Sequence, residues 1–492
     1  NTITIKNGTL DAGTTAFCAL CTASAHENKL TVNTENVNLI NDISNGSTVK
    51  IRAGSVYNAK TGTKITGKNS YLGIENWNAE VNIYDGAEIY MNGTSSYNGC
   101  LVGVGGNGTI NVSGGKGIGK KGGFIAMTSG GTINVEGGEW IANTDGTYAN
   151  SNKSVLIAQS DKQYNAGAGN AVVNVTGGTF KGGYNCYGNK VGDAQINIKG
   201  GNFNADPTSY VAEDYIAVKN NGVWNVELAA AKIGTTAYAT FADALAAVKG
   251  DETLTLLADL NLKEILTINK AITFDGNGKK LTSTAGRAIN VDCEGNVAIK
   301  NLTINARGER AINVIQKPAN VTIEKVTATA ANYTVNVASS AGVAKVAIAN
   351  SNLTGLNVVN VGAPGSEITI NGGTITCNDQ NDVENYAALA LNKDGKNATI
   401  TATGVTFDIK GDSKISGNSA EDGSIIIDGV ESTEFAVAVI EYLPGPYYYS
   451  FTTVEAAIAK AQPGETVKLI RDIEKAINMS DLGINPTNDG RV

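Results

Sequence analysis

The chain has 492 residues, a formal net charge of −8 and only 17% charged side chains. That length allows two or three domains, each with its own core, and the acidic balance argues against nucleic acid as a main partner, which would call for a basic face. With 59 glycines against 7 prolines, the composition suits many short strands joined by tight turns and excludes a helical bundle.

The opening residues, NTITIKNGTL, already read as strand, so more chain is expected before Asn1. No run approaches the ~18 apolar residues of a membrane span, so this segment is not expected to cross one. Cys18-x-x-Cys21 has the spacing of a redox or zinc motif, but no second pair or His cluster accompanies it. The two are expected as buried thiols in neighbouring coils, and with the other cysteines isolated no disulfide framework is legible.

GGKGIGKKGG at 114–123 nearly matches a phosphate-binding loop, but Lys121 stands where Ser or Thr is required. The segments INVSGG (from Ile110), INVEGG (Ile133), VNVTGG (Val173) and INIKGG (Ile196) share a strand that ends in Gly-Gly. Paired glycines suit a turn with positive φ and close approach between layers. Trp140, Phe180 and Phe203 follow at matching positions, as does Ile375 later, and are expected to form internal stacks. The wider spacing between the second and third copies places an extra coil or long loop at 141–172.

YIAVKNNGVWNV, from Tyr215, reads as a hairpin turning at Asn221-Gly222. TFADALAAVKG then puts Phe241, Leu245 and Val248 on one helical face, capped by Thr240 and Asp243 and stopped by Gly250. Next comes RAINV at Arg287–Val291 and RAINV again at Arg310–Val314, continued by Thr334-Val-Asn-Val337 and Val358-Val-Asn-Val361. A second ladder runs beside it, with VAIKNL (Val297), VTIEKV (Val321), VAIANS (Val346), ITINGG (Ile368), ATITAT (Ala398) and IIIDGV (Ile425). A unit of roughly two dozen residues cannot bury its own apolar face, but copies stacked about 4.8 Å apart bury a continuous column. Leucine-rich repeats need a different consensus and propeller blades a longer period. The fold expected is all-β, a parallel β-helix.

Asn290, Asn313, Asn336 and Asn360 alternate with the apolar positions and are therefore expected to face outward. Stacked amides account for such a file; the sharper reading makes it a ligand-facing array, with Arg287 and Arg310 as a basic spot beside Glu309. NDQNDVEN lies in a lengthened coil, where Asp379, Asp382 and Glu384 would offer oxygen ligands to Ca²⁺, or simply form a solvated loop. PYYYS, ending at Ser450, is expected to pack a junction before SFTTVEAAIAKAQPGETVKLIRDI, a second helix–strand cap on Phe451, Val454 and Ile458. Because a cap precedes a column, the chain is expected to continue beyond Val492. The division expected is a first β-helix module over 1–228 with a closing hairpin at 211–227, a second over 229–436 with a capping helix at 241–249, and a junction opening a third over 437–492.

The junction GGNFNADPTSYVAEDYIAVKNNGVWNVE followed by AKIGTTAYATFADALAAVKGDETLTLLADL resembles the modular junctions of large right-handed parallel β-helix surface proteins of gut bacteria, and the coils resemble pectate-lyase-like repeats. The resemblance implies a secreted or cell-surface, extracellular protein. It leaves the activity open, because that superfamily includes lyases, hydrolases, adhesins and phage tailspikes. NTDG at Asn143–Gly146 matches one polygalacturonase-like motif and makes Asp145 a weak catalytic candidate. The Asp-Asp pair and Gly-His-Gly of that family are missing, however, and His26 is the sole histidine. The reading expected is a non-enzymatic spacer or adhesin with surface glycans or other polysaccharide as partners, self-association open, and no cofactor beyond Ca²⁺ at the acidic loop. The alternatives are a polysaccharide lyase or glycoside hydrolase, and a virion fibre.

Overall fold

The computed structural model describes residues 1–13, 18–22, 30–43, 46–93, 99–120, 122–126, 130–142, 154–161, 171–189, 194–378, 387–411, 413–432, 438–442, 447–451, 453–469 and 473. The chain is a β-solenoid of about 15 turns and divides into two compact units, Asn1–Leu228 and Ala229–Val492. Each coil contributes three short strands, and like strands of successive coils pair in parallel to build three columns. The parallel β-helix expectation therefore holds at the level of fold.

In the first unit, Thr31–Asn41 runs through the first and second columns and joins them into one sheet, while the third column forms a separate 7-stranded sheet. Register follows chemistry. Ile110 pairs with Ile133, then Val173 and Ile196, and each of these side chains is at most 6% exposed. Trp140, Phe180 and Phe203 lie in one file at 0%, 1% and 0% exposure. Trp140 meets Phe124 edge-on at 4.9 Å and Phe180 stacks on Phe203 at 5.0 Å. The 141–172 segment contains a third-column strand, Ser154–Asp161, between Gly122–Ala126 and Gly183–Asn189. Gly138 has φ 93°, and a Cβ there would stand 2.6 Å from the Gly115 carbonyl oxygen, which is why the turn after the strand needs glycine. The hairpin Tyr215–Asn220 and Val223–Leu228 turns through Asn221 and Gly222, both at positive φ. It pairs antiparallel with Gly201–Phe203 and so covers the last edge of the second column.

Cys18 and Cys21 correct one expectation. They are joined as a disulfide, and Cys21 is exposed rather than a buried thiol. Their Cα atoms are 6.2 Å apart, a reach that a three-residue separation at a bend allows. Among the described residues the buried free thiols are Cys100, Cys293 and Cys377.

The second unit opens with a cap. Ala231–Ile233 pairs antiparallel with both Thr236–Tyr238 and Thr253–Leu256, and helix α1, Phe241–Ala247, bridges the latter two. The Thr240 hydroxyl accepts from the Asp243 N–H at 3.1 Å and donates to its carboxylate at 2.6 Å, a reciprocal N-terminal cap. The helix ends two residues sooner than expected, because Val248 is already extended. Phe241 packs 5.8 Å from Phe274, and Thr253–Leu256 starts the first column by pairing in parallel with Thr273–Asp275. The same topology recurs in Ala438–Tyr442, Tyr447–Phe451, helix α2 (Val454–Lys460) and Thr466–Leu469. The side chains of Tyr447, Tyr448 and Tyr449 lie outside the described residues, as does the PYYYS packing proposed for them.

Candidate functional site

The third column of the second unit brings the sequence-predicted residues together. Its strands include Leu266–Ile268, Arg287–Val291, Arg310–Val314, Tyr333–Val337 and Val359–Val361. Ile289, Ile312, Val335 and Val359 are all 0% exposed and belong to the core. The asparagines between them form one continuous ladder. Asn313 Nδ2 donates to Asn290 Oδ1 at 2.9 Å, Asn336 to Asn313 at 2.7 Å, and Asn360 to Asn336 at 2.7 Å.

The ladder is not open to solvent as expected. Asn290, Asn313, Asn336 and Asn360 are 7%, 0%, 3% and 6% exposed. Arg310 Nη1 lies 3.5 Å from Asn313 Oδ1. Arg287, Arg310 and Tyr333 stand in register at the heads of three strands. The Arg310 guanidinium lies 5.2 Å from the Tyr333 ring centroid and 3.4 Å from a Glu309 carboxylate oxygen. Two cations a single layer apart repel, and the ring face and Glu309 offset that repulsion.

Polar satisfaction fails at this face. Among the described residues four buried side-chain atoms lack a hydrogen-bond partner, and three of them, Arg310 Nε, Asn332 Oδ1 and Asp292 Oδ1, border these strands. Asn332 directly precedes Tyr333, and Asp292 directly follows Val291 at the other end. Leaving a buried donor or acceptor unmade costs about 1–3 kcal/mol each. A face that carries a spare donor and spare acceptors around an ordered amide floor has the chemistry to receive a hydroxyl-rich or carboxylated ligand. Next to Asp292, the Cys293 thiol is pushed up chiefly by burial, partly countered by Lys317 and reinforced by Asp292, so it is protonated at neutral pH.

Asp145, Asp379, Asp382, Glu384 and His26 lie outside the described residues. Among the residues that are described, no group of three or more His, Cys, Asp or Glu side chains is placed to hold a metal ion.

Sequence reasoning missed two features of the first unit. A longer ladder runs up its first column through Asn33, Asn58, Asn82, Asn111, Asn134, Asn174 and Asn197, with amide contacts of 2.8–3.1 Å. The signal was the central Asn of every I-N-V strand. These amides are only part-buried, so water competes for them. The second feature is a cluster on the third column, where Glu75 accepts from Ser47 at 2.7 Å and pairs with Arg52 at 3.0 Å and Lys50 at 3.4 Å. No local motif announces it, because its members sit on adjacent coils.

No family model matches the chain. Over 49 residues it is 51% identical to the ribosome-recycling factor of Caldicellulosiruptor bescii, 10% of this chain and 26% of that one. Over 38 residues it is 58% identical to that of Lachnoclostridium phytofermentans, 8% and 20% of the two chains. The chain thus spans about a quarter of the length of the curated relatives it matches, or less. A solved PL6 family alginate lyase, AlyGC in a substituted form, aligns over 83% of this chain and 86% of its own at 11% identity and a TM-score of 0.24. Matches this short or this loose leave the functional reading to the residues themselves.

Proposed function

We propose that the chain is a non-enzymatic, extracellular β-helix surface protein, a spacer or adhesin that holds glycans on the third column of its second unit. The observation that carries this reading is the patch around Arg310, where a buried guanidinium Nε and the Asn332 Oδ1 have no partner above a rigid asparagine floor. Arg287 and Arg310 supply donors in a planar fork suited to carboxylate and vicinal hydroxyls, and Tyr333 supplies a ring face. Hydrolysis of a glycosidic bond needs two carboxyl groups across the sugar, whereas Glu309 is engaged by Arg310. Binding without turnover fits this set best.

The test is a glycan array probed with the full chain and with Arg310→Gln. The reading expects retention of one or more glycans and at least a tenfold loss in the variant. Equal binding by both proteins, or none by either, would sink it. One observation favours a second reading, β-elimination by a lyase: the Arg310 guanidinium sits over the Tyr333 ring, which puts a cation and a side chain able to act as a general base side by side. Release of unsaturated uronate from alginate or polygalacturonate, abolished by Tyr333→Phe, would replace the first reading with this one.

A further inference from the structure

We propose that the Cys18–Cys21 disulfide is a thiol–disulfide exchange site, which accepts two electrons from a pair of small thiols that each carry a further negative charge. It shares no residue with the Arg310 face, so this proposal and the glycan reading can fail separately.

The bond contributes little to the fold. A cross-link stabilises by closing a long loop of the unfolded chain, and this one spans only Ala19 and Leu20. It ties the coil to itself, whereas backbone contacts tie the coil to the next one. The Ala19 N–H donates to the Thr48 carbonyl at 2.9 Å and the Thr22 N–H to the Lys50 carbonyl at 3.0 Å. The Arg52 N–H donates to Thr22 Oγ1 at 2.8 Å. These contacts hold the strand in place whether the sulfurs are joined or not, so the bond can open and close on a fixed frame. Cys18 is half-buried and Cys21 exposed, and exposed disulfides are the readily exchanged kind.

Register sets the charge around the sulfurs. Leu20 pairs with Val49, which is 0% exposed in the core, and Cys21 pairs with Lys50. Cys21 therefore faces outward on the side of Lys50, with Glu75 in register one coil further on. Lys50 and Arg52 both contact Glu75, at 3.4 and 3.0 Å, which leaves two cations against one carboxylate. Lys50 stands one layer from Cys21, about 4.8 Å, and Glu75 stands two. The nearer charge is the positive one, so these three side chains draw an anionic thiol towards Cys21 and stabilise a sulfur anion as it forms there.

The exchange balances in two steps. A first thiolate attacks Cys21 Sγ; a mixed disulfide forms, the Cys18–Cys21 bond breaks, and Cys18 leaves as a thiolate that takes a proton from water. A second thiolate attacks the small-molecule sulfur of the mixed disulfide. The two small thiols are then joined, and Cys21 leaves as a thiolate beside Lys50. The cysteine pair has gained the two electrons that the thiols have lost.

The test follows opening of the bond in the folded full chain by 2-mercaptoethanesulfonate, 2-mercaptoethanol and cysteamine, which are anionic, neutral and cationic, at equal thiolate concentrations and low salt. The expected order of rates is sulfonate, then mercaptoethanol, then cysteamine. The extremes should differ roughly fivefold, the ratio that opposite unit charges give across about 8 Å of water. Raising the salt to about 1 M, where the Debye length is about 3 Å, should close that gap. Lys50→Met should cut the ratio at least twofold. Cys18→Ser, treated with the symmetrical disulfide of the sulfonate thiol, should hold a mixed disulfide at residue 21, located by peptide mass. The proposal is overturned if the bond stays closed in millimolar thiol, if the three thiols react alike, if Lys50→Met leaves the ratio unchanged, or if Cys21 of Cys18→Ser forms no mixed disulfide.

Discussion

A single asparagine makes very different contributions in the two ladders. Asn313 is fully buried, donates to Asn290 and accepts from Asn336. Replacing it with alanine leaves a buried acceptor on one side and a buried donor on the other, so Asn313→Ala is expected to cost about 2–4 kcal/mol. Asn111 makes the same pair of bonds with Asn82 and Asn134, but its amide is part-buried. Water replaces the lost partners there, and Asn111→Ala should cost about 1 kcal/mol or less. Denaturant melting of the two variants checks the contrast, and equal losses would contradict it. The bends give a second residue-level case. Asn277, Asn301, Lys325 and Asn350 have φ of 49°, 51°, 52° and 48°, a left-handed conformation that costs Lys more than Asn. Lys325 Nζ lies 3.6 Å from Glu324 on a side chain that is 64% exposed, so little is lost by removing it. Lys325→Gly should leave stability unchanged or raise it by up to about 1 kcal/mol, read from the same melts.

Strands and helices hold one another through pairings that register sets. Glu88 and Lys116 lie opposite each other on adjacent second-column strands, Glu88–Met91 and Lys116–Gly119, with an ion pair of 2.8 Å. The hydrogen bond from Lys116 holds the Glu88 carboxyl below the usual glutamate range, against a smaller opposing effect of burial. A carboxyl whose folded-state value is depressed stabilises the fold above its unfolded value, and the contribution is lost as pH falls through the folded one. Titration of Glu88 by NMR should therefore place its midpoint below that of an exposed glutamate. Lys116→Met should move it up; no movement would mean that the pair is not formed in solution. At α1, Thr240→Ala removes the reciprocal cap with Asp243 and should cost about 1 kcal/mol. Faster hydrogen exchange confined to Phe241–Ala247 and its neighbouring strands is the expected sign.

The molecule has two units with separate cores, and a solenoid's coils depend mainly on their neighbours. Ile312 sits mid-column in the second unit at 0% exposure, between Ile289 and Val335. Ile312→Ala opens a cavity worth about 2–5 kcal/mol. Calorimetry should show the loss in the transition of the second unit and not in that of the first. A shift of both together would indicate a single cooperative block.

Periodicity by itself determined the fold. Ile289, Ile312 and Val335 recur at the interval of one coil, and a unit too short to bury them alone has to stack. The stacked Trp140, Phe180 and Phe203 and the Thr240–Asp243 cap were equally readable, because each depends on residues close in the chain or equivalent between copies. Only the tertiary structure decided what covers what. Alternation set Asn313 apart from Ile312 and Val314, but did not tell that Asn313 is fully buried with an Arg310 nitrogen 3.5 Å from its amide oxygen. It also said nothing of Glu75 meeting Arg52, since those contacts join different coils at positions without a repeat. The sites arise where the copies differ, and a pattern made of what the copies share cannot reveal them.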